Sequence, residues 1–271
     1  MSRRLFHRFH RVAVFLFILF IVVPFIPLLL WSVSAGWRWP HVLPESFSLR
    51  AWTYLFSPSS GLWESMGVSL QVAIVVTLIN LLIAVPAANA LARYRFWGKR
   101  GVEALMYAPL VVPPYVAIMG LHLTFIRWNV TETVAGVVLA HLVPTLPYML
   151  RPLVISYRTL GFQWEDQARM LGASAWARFR HVVLPHLLPG IAAGVGLSLL
   201  VSLSEYLLTL LIGGGLIRTF PLLLFPFLNG GDPAIGAALS LVFAGMTAGL
   251  LITTEWLLRR CYGDSHRTQP F

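Results

Sequence analysis

Apolar residues run along this chain in long blocks, and polar residues gather between them. A bilayer core takes about 20 apolar residues as a helix. Six blocks reach that length: Val12 to Ser34, Ser65 to Ala92, Val102 to Phe125, Thr133 to Tyr157, Leu188 to Ile212 and Ala234 to Leu258. They predict an all-α polytopic membrane protein with six transmembrane helices. No linker or low-complexity tract divides the chain, so residues 1–271 read as a single transmembrane domain. Prolines at Pro24, Pro27, Pro86, Pro113, Pro114, Pro144 and Pro147 predict interruptions, which a membrane bundle tolerates where neighbours satisfy the freed carbonyls. The first block follows four arginines and resembles a secretory signal, with Ser32-Val33-Ser34 in place of a cleavage site. It outruns the roughly 7–15 apolar residues of a signal, so it reads as a retained span.

Composition agrees. Charged residues make up 11% of the chain, against about 25% in soluble domains. That excludes a soluble enzyme, since so few charges cannot coat a globule of this length. The net charge of +10 would suggest nucleic acid in a soluble protein, but here the basic residues flank apolar blocks and act as topology signals. With the N-terminus inside, Arg3, Arg4, Arg8, Arg11, Arg93, Arg95, Lys99, Arg100, Arg151, Arg158, Arg169, Arg178, Arg180, Arg259, Arg260 and Arg267 face the cytoplasm. Only Arg38, Arg50, Arg127 and Arg218 face out. Both termini are therefore expected inside a plasma membrane. Trp31, Trp37, Trp39 and Trp52 fall near the outer interface, where indoles anchor. The single Cys261 excludes an internal disulfide and a cysteine metal cluster.

The long polar segment, residues 158–186, lies on the cytoplasmic side and is amphipathic. Trp164, Ala168 and Leu171 recur at helical spacing and predict one apolar face. Glu165 and Asp166 sit in the first turn and Arg169 in the last, as the helix dipole favours. Gly172 is a natural stop, and Ser174 can cap a second short helix. Trp176, Phe179 and Val183 share a face of that helix, and Pro185 is expected to halt it. The resulting knob suits docking into a groove on a soluble partner.

These residues carry a resemblance. Asp166-Gln167-Ala168, then Gly172, then Val182, Val183, Leu184 and Pro185 resemble the signature of the membrane-spanning permease subunits of bacterial binding-protein-dependent ABC importers: Glu-Ala-Ala, three residues, Gly, nine residues, a β-branched residue, one residue, Leu-Pro. Asp replaces the Glu, with Glu165 just before it, and Gln replaces the first Ala. The wider string Leu171-Gly172-Ala173-Ser174 is also similar, and the likeness runs from about Ser65 to the end of the last block. It implies the type I ABC importer permease (MetI-like) fold. It implies a coupling role for Glu165, Asp166, Gln167, Ala168, Leu171, Gly172, Ala173, Val182, Leu184 and Pro185, which would dock on separate cytoplasmic ATP-binding subunits. It further implies an extracytoplasmic substrate-binding protein and a second permease subunit, with a heterodimer favoured over a homodimer.

The region of Ser204-Glu205-Tyr206, Gly213-Gly214-Gly215 and Thr219-Phe220-Pro221-Leu222 is most similar to spermidine/putrescine-type permeases, with iron and phosphonate relatives. The resemblance thus implies a polyamine substrate, with ferric iron, phosphonate or another small solute as alternatives. Glu205, Tyr206, Thr209 and Asn80 are candidate translocation-path residues. Glu205 falls about 23 Å into the fifth block at 1.5 Å per residue, and Ser202 and Thr209 would share its face. An interhelical bond explains Glu205 equally well, and the same holds for Asn80 and Asn89.

No cofactor, metal or catalytic residue is expected. Lys99 follows Gly98, but Arg93 and Arg100 stand where a phosphate loop needs Gly and Ser/Thr. ATP is then hydrolysed by a partner. No His-Glu-x-x-His or Gly-x-Ser-x-Gly occurs, so His122 and His141 read as hydrogen-bonded packing residues rather than parts of an intramembrane enzyme. A channel or secondary transporter is the remaining rival, and it has no use for the cytoplasmic knob. Gly245 and Gly249 form a Gly-x-x-x-Gly pair, read as a helix-packing site.

Overall fold

The computed structural model describes residues 3–37, 41 and 43–266. Arg38, Trp39 and Arg267 lie outside the described residues. The described chain is helical, and its one pairing of extended residues is an isolated bridge between Ser34 and Phe47.

The chain packs as two compact units: Met1–Leu62 with Leu223–Met246, and Trp63–Leu222 with Thr247–Phe271. The first contains α1 (Arg3–Val22), α2 (Phe25–Ser32) and α3 (Arg50–Leu55). The first apolar block is these first two helices, bent by 41°, with Pro24 at the turn where its missing N–H breaks the ladder. Arg50 of α3 pairs with Asp232. Asp232 also caps the helix that follows it, accepting from the backbone N–H of Ala234 at 3.0 Å. Partial burial pushes its carboxyl up; the Arg50 bond and the backbone N–H groups outweigh burial and hold it below the ordinary value.

The second unit is built on α4 (Leu62–Arg93), α5 (Lys99–Tyr107), α6 (Pro114–Arg127), α7 (Val134–Leu160), α8 (Gln163–Met170), α9 (Ala175–Arg178), α10 (Leu184–Ser204) and α11 (Leu207–Gly213). Two last helices, α12 (Phe220–Leu228) and α13 (Pro233–His266), each run from one unit into the other.

Among the described residues four helices are individually long and apolar enough to cross a membrane, and up to six spans result if each of two bent pairs is one span. The proline expectation holds only in part. Pro86, Pro144 and Pro147 sit inside continuous helices. Pro113-Pro114 does break the third block: α5 and α6 meet at 103°. Pro113 is extended, with ψ 130°, because a residue before proline is driven out of the helical region. The fifth block is also broken. Glu205 is extended, with ψ 102°, so α10 ends there and α11 restarts two residues on.

The dominant pairing is α7 against α10. Glycine makes it possible: a Cβ on Gly194 would stand 2.8 Å from Met149 Sδ and 3.1 Å from the Met149 carbonyl oxygen. Gly190, one turn earlier, lies equally tight on Ser156 and the Pro152 carbonyl. Small residues let backbones approach where lipid supplies no hydrophobic drive between helices. The Gly-x-x-x-Gly pair singled out by sequence, Gly245 and Gly249, meets nothing within 4 Å. Within this chain the packing glycines are Gly190 and Gly194 instead.

Two apolar clusters fill the second unit. One joins Ala84, Ala88, Met149, Leu153 and Leu187; the other joins Val72, Val76, Ile118, Val137 and Ile212. Between them along α4 and α7 lies a buried polar layer. Asn80 donates to Thr145 at 2.6 Å and lies 3.5 Å from Ser198. Thr145 donates to the His141 carbonyl at 2.5 Å.

Candidate functional site

The segment between α7 and α10 forms as local sequence dictates. Gly161, at φ +62°, turns the chain out of α7. The α8 helix carries Glu165 and Asp166 in its first turn and Arg169 in its last. Gly172 ends it at φ +83°, a left-handed conformation that a Cβ disfavours. The closing bonds are Gly172 N–H to Arg169 at 2.9 Å and Ala173 N–H to Ala168 at 3.0 Å. That pair is a Schellman motif, which satisfies two otherwise orphaned carbonyls. Ser174 then caps α9, its hydroxyl accepting from Ala177 N–H at 3.2 Å.

Pro185 does not halt the second helix. Residues Phe179–Val183 widen into a π turn, and Leu184 N–H reaches back to Phe179. A widened turn absorbs the missing proline N–H. The helix therefore continues from Ala175 to Ser204, and Val182, Leu184 and Pro185 lie inside it rather than at a terminus.

The turn between α8 and α9 is a knob. Met170 and Leu171 are 79% and 88% exposed, with Trp164 and Trp176 also exposed. The face predicted from Trp164, Ala168 and Leu171 thus points mostly outward. Asp166 and Gln167 are exposed, while Ala168 and Ala173 are half-buried.

Glu165 faces the other way. It forms an ion pair with Arg93, the last residue of α4, whose side chain is only 4% exposed. The guanidinium lies 4.9 Å from the Tyr157 ring and 5.1 Å from the Phe162 ring. Arg93 therefore ties α4, α7 and α8 into one cluster. By sequence alone nothing sets Arg93 apart from the other basic residues assigned to the cytoplasmic side. Its partner lies 72 positions away, so no spacing rule could have matched them.

The candidate path residues separate. Asn80 and Thr209 are fully buried within this chain and bond across helices. His141 makes a contact at each ring nitrogen: Nδ1 lies 3.0 Å from Ser202 and Nε2 2.9 Å from Thr209. Thr209 spends its own hydroxyl proton on the Glu205 carbonyl at 2.8 Å. It follows that Nε2 carries the proton and Nδ1 accepts from Ser202. Both ring nitrogens are thereby satisfied, as a packing histidine requires. The expected stripe of Ser202, Glu205 and Thr209 is absent: the helix breaks at Glu205, and its two flanking hydroxyls turn to His141. Glu205 and Tyr206 are half-buried at the break.

Comparison with known proteins decides the family. Residues 80–261 match the family described as binding-protein-dependent transport system inner membrane component. The chain belongs to that family. It is thus a permease of the ABC importer class. One similar permease, provisionally named for 2-aminoethylphosphonate transport in Salmonella typhi, is 30% identical, covering 92% of this chain and 94% of its own. The molybdenum transport system permease ModB of Mycobacterium tuberculosis is 33% identical over 73% of this chain and 80% of its own. The sulfate transport system permease CysT of Escherichia coli is 33% identical over 65% and 70%. A bacterial ABC transporter involved in the import of the acidic polysaccharide alginate shares the fold, with TM-score 0.69 over 96% of this chain and 98% of that chain at 16% identity. A permease of this family works with a binding protein and an ATPase, and it resides in a membrane.

Proposed function

We propose that this permease forms part of the translocation path for a small oxyanion and that residues 158–186 couple the path to a separate cytoplasmic ATPase. One observation carries the coupling reading. A rigid turn presents Met170 and Leu171 to solvent, while Arg93 holds the base of the same helix against the spans. Exposed apolar residues on a fixed knob are anchors for a partner groove. Asp166, Gln167 and Leu171 are the contact residues in this reading. Glu165 is the tether rather than a contact, and Val182, Leu184 and Pro185 belong to the connecting helix. A second permease subunit completes the path, with Glu205 and Tyr206 at the break between α10 and α11 as its candidates. Residues 1–271 then act as a single permease domain.

The oxyanion reading draws on the relatives. Their names are those of 2-aminoethylphosphonate, molybdenum and sulfate systems, and none of these is a polyamine system. In membrane vesicles containing the whole transporter, excess 2-aminoethylphosphonate, sulfate or molybdate should compete uptake of the cognate labelled anion. Spermidine should not. Competition by spermidine alone would return the polyamine reading.

The coupling reading has its own test. No atom lies within 4 Å of a Cβ on Gly172, so a Gly172→Asp change strains the backbone without a clash, at a cost of about 1–2 kcal/mol. We expect ATPase copurification to fall about tenfold while helical content stays constant. Unchanged uptake by that variant would overturn it. Both termini belong in the cytoplasm by the distribution of basic residues. A reporter fused after Phe271 should be active only on that side, and periplasmic activity would reverse the topology.

A further inference from the structure

A second feature of the bundle is unused by the coupling reading. A cavity of about 570 Å³ opens beside the cytoplasmic part of α7, lined by Arg151, Arg158, Glu103, Tyr107, Val111 and Ile155 among others. Arg151 and Arg158 are two helical turns apart and share one face of α7, about 10 Å apart along its axis. Arg151, Arg158, Glu103 and Tyr107 thus border one space. Arg158 and Glu103 approach only to 4.0 Å and stay substantially exposed. Arg151 makes no hydrogen bond or ion pair with any described residue. It nevertheless lies inside a helix long and apolar enough to span a membrane. A charge within such a helix is costly and marks a ligand or a path. Here Glu103 leaves the cavity with one uncompensated positive charge. The remaining wall is apolar, with Val111 and Ile155 widely exposed.

We infer that Arg151, Arg158 and Tyr107 form a binding site for a phosphate-type anionic group. Guanidinium forks match tetrahedral oxyanions bidentately, and the phenol adds a neutral donor. Two sources present this chemistry: the headgroup of an anionic phospholipid, whose acyl chains would lie on Val111 and Ile155, or a free oxyanion leaving the path. Basic pockets between spans on the cytoplasmic side suit the first. The free-anion source rests on the oxyanion reading above; the lipid source does not.

The test uses the full transporter, purified in detergent and exchanged into nanodiscs of phosphatidylglycerol or of phosphatidylcholine. Retained lipid is counted by native mass spectrometry, and inorganic [32P]phosphate binding is measured on the same samples. Selective retention of phosphatidylglycerol identifies a headgroup site. Saturable phosphate binding in phosphatidylcholine discs identifies a soluble-anion site. Either should weaken at least tenfold in Arg151→Gln/Arg158→Gln and remain in Lys99→Gln. Should the double variant fail to assemble, Arg151→Gln alone, which keeps the Arg158–Glu103 pair, carries the same expectation. Absence of both signals in the native protein, or binding unchanged by loss of the arginines, overturns the site. Binding is scored without transport, so a negative result here leaves the importer reading untouched.

Discussion

An Arg93→Met variant should lose at least about tenfold in substrate uptake while its spans remain inserted and helical. Methionine approximates the aliphatic stem but removes the guanidinium that pairs with Glu165 and lies against Tyr157 and Phe162. Removing one partner of a buried pair costs about 3–5 kcal/mol, because the other charge is left uncompensated. Glu165 retains 23% exposure, so the lower end applies. The cost falls on the seat of α8, not on the α7–α10 core, and the knob loses its fixed orientation. Glu165→Gln should be milder, since an amide oxygen still accepts from Arg93. The double variant Arg93→Met/Glu165→Met should recover stability relative to Arg93→Met, as removing both partners is often close to neutral. It should not recover uptake, because the tether is gone. Uptake and ATP turnover in proteoliposomes, with a denaturation midpoint for each variant, check all three. Native uptake by Arg93→Met would show that α8 needs no tether.

The other large effect is steric. Gly194→Val would place a branched side chain where even a Cβ meets the Met149 backbone. Backbone cannot yield as a side-chain tip can, so α7 and α10 must part. Overpacking costs about 1–3 kcal/mol where the surroundings adjust, and more is expected here. The bond from His141 to Ser202 crosses the same interface and would lengthen with it. The expected result is little folded protein in the membrane fraction and a lowered denaturation midpoint. Gly245→Val is the matched control, because nothing stands within 4 Å of its added Cβ. Equal damage from the two substitutions would refute the assignment of Gly190 and Gly194 as the contact.

These residues also mark the limits of reading the chain without coordinates. The apolar blocks, the knob, Gly172 as a stop and Ser174 as a cap were all legible, since each rests on local pattern. Two Gly-x-x-x-Gly pairs stand in the sequence, Gly190/Gly194 and Gly245/Gly249, and the pattern cannot say which of them another helix faces; the second was the one singled out by sequence, and within this chain the first is the one that packs. The break at Glu205 carries no proline or glycine, so a continuous span was the natural expectation. The π turn before Pro185 has no composition of its own. Arg93 and Glu165 meet only because α4 and α8 end at the same place, which is tertiary information. Substrate class lay beyond local physics as well: the resemblance around Ser204-Glu205-Tyr206 implied a polyamine, whereas the relatives named above belong to 2-aminoethylphosphonate, molybdenum and sulfate systems.

The unbroken helix from Ala175 to Ser204 has a mechanical consequence. Its 30 residues make a connecting rod about 45 Å long at 1.5 Å per residue. One end is the knob, and the other is the hinge at Glu205. A rod of that length tilted by about 5° carries its far end through about 4 Å, roughly the breadth of a methyl group. The π turn at 179–183 is a widened turn close to the knob end. In the coupling reading proposed above, a tilt imposed at the knob would reach the break at Glu205 as a displacement of that size.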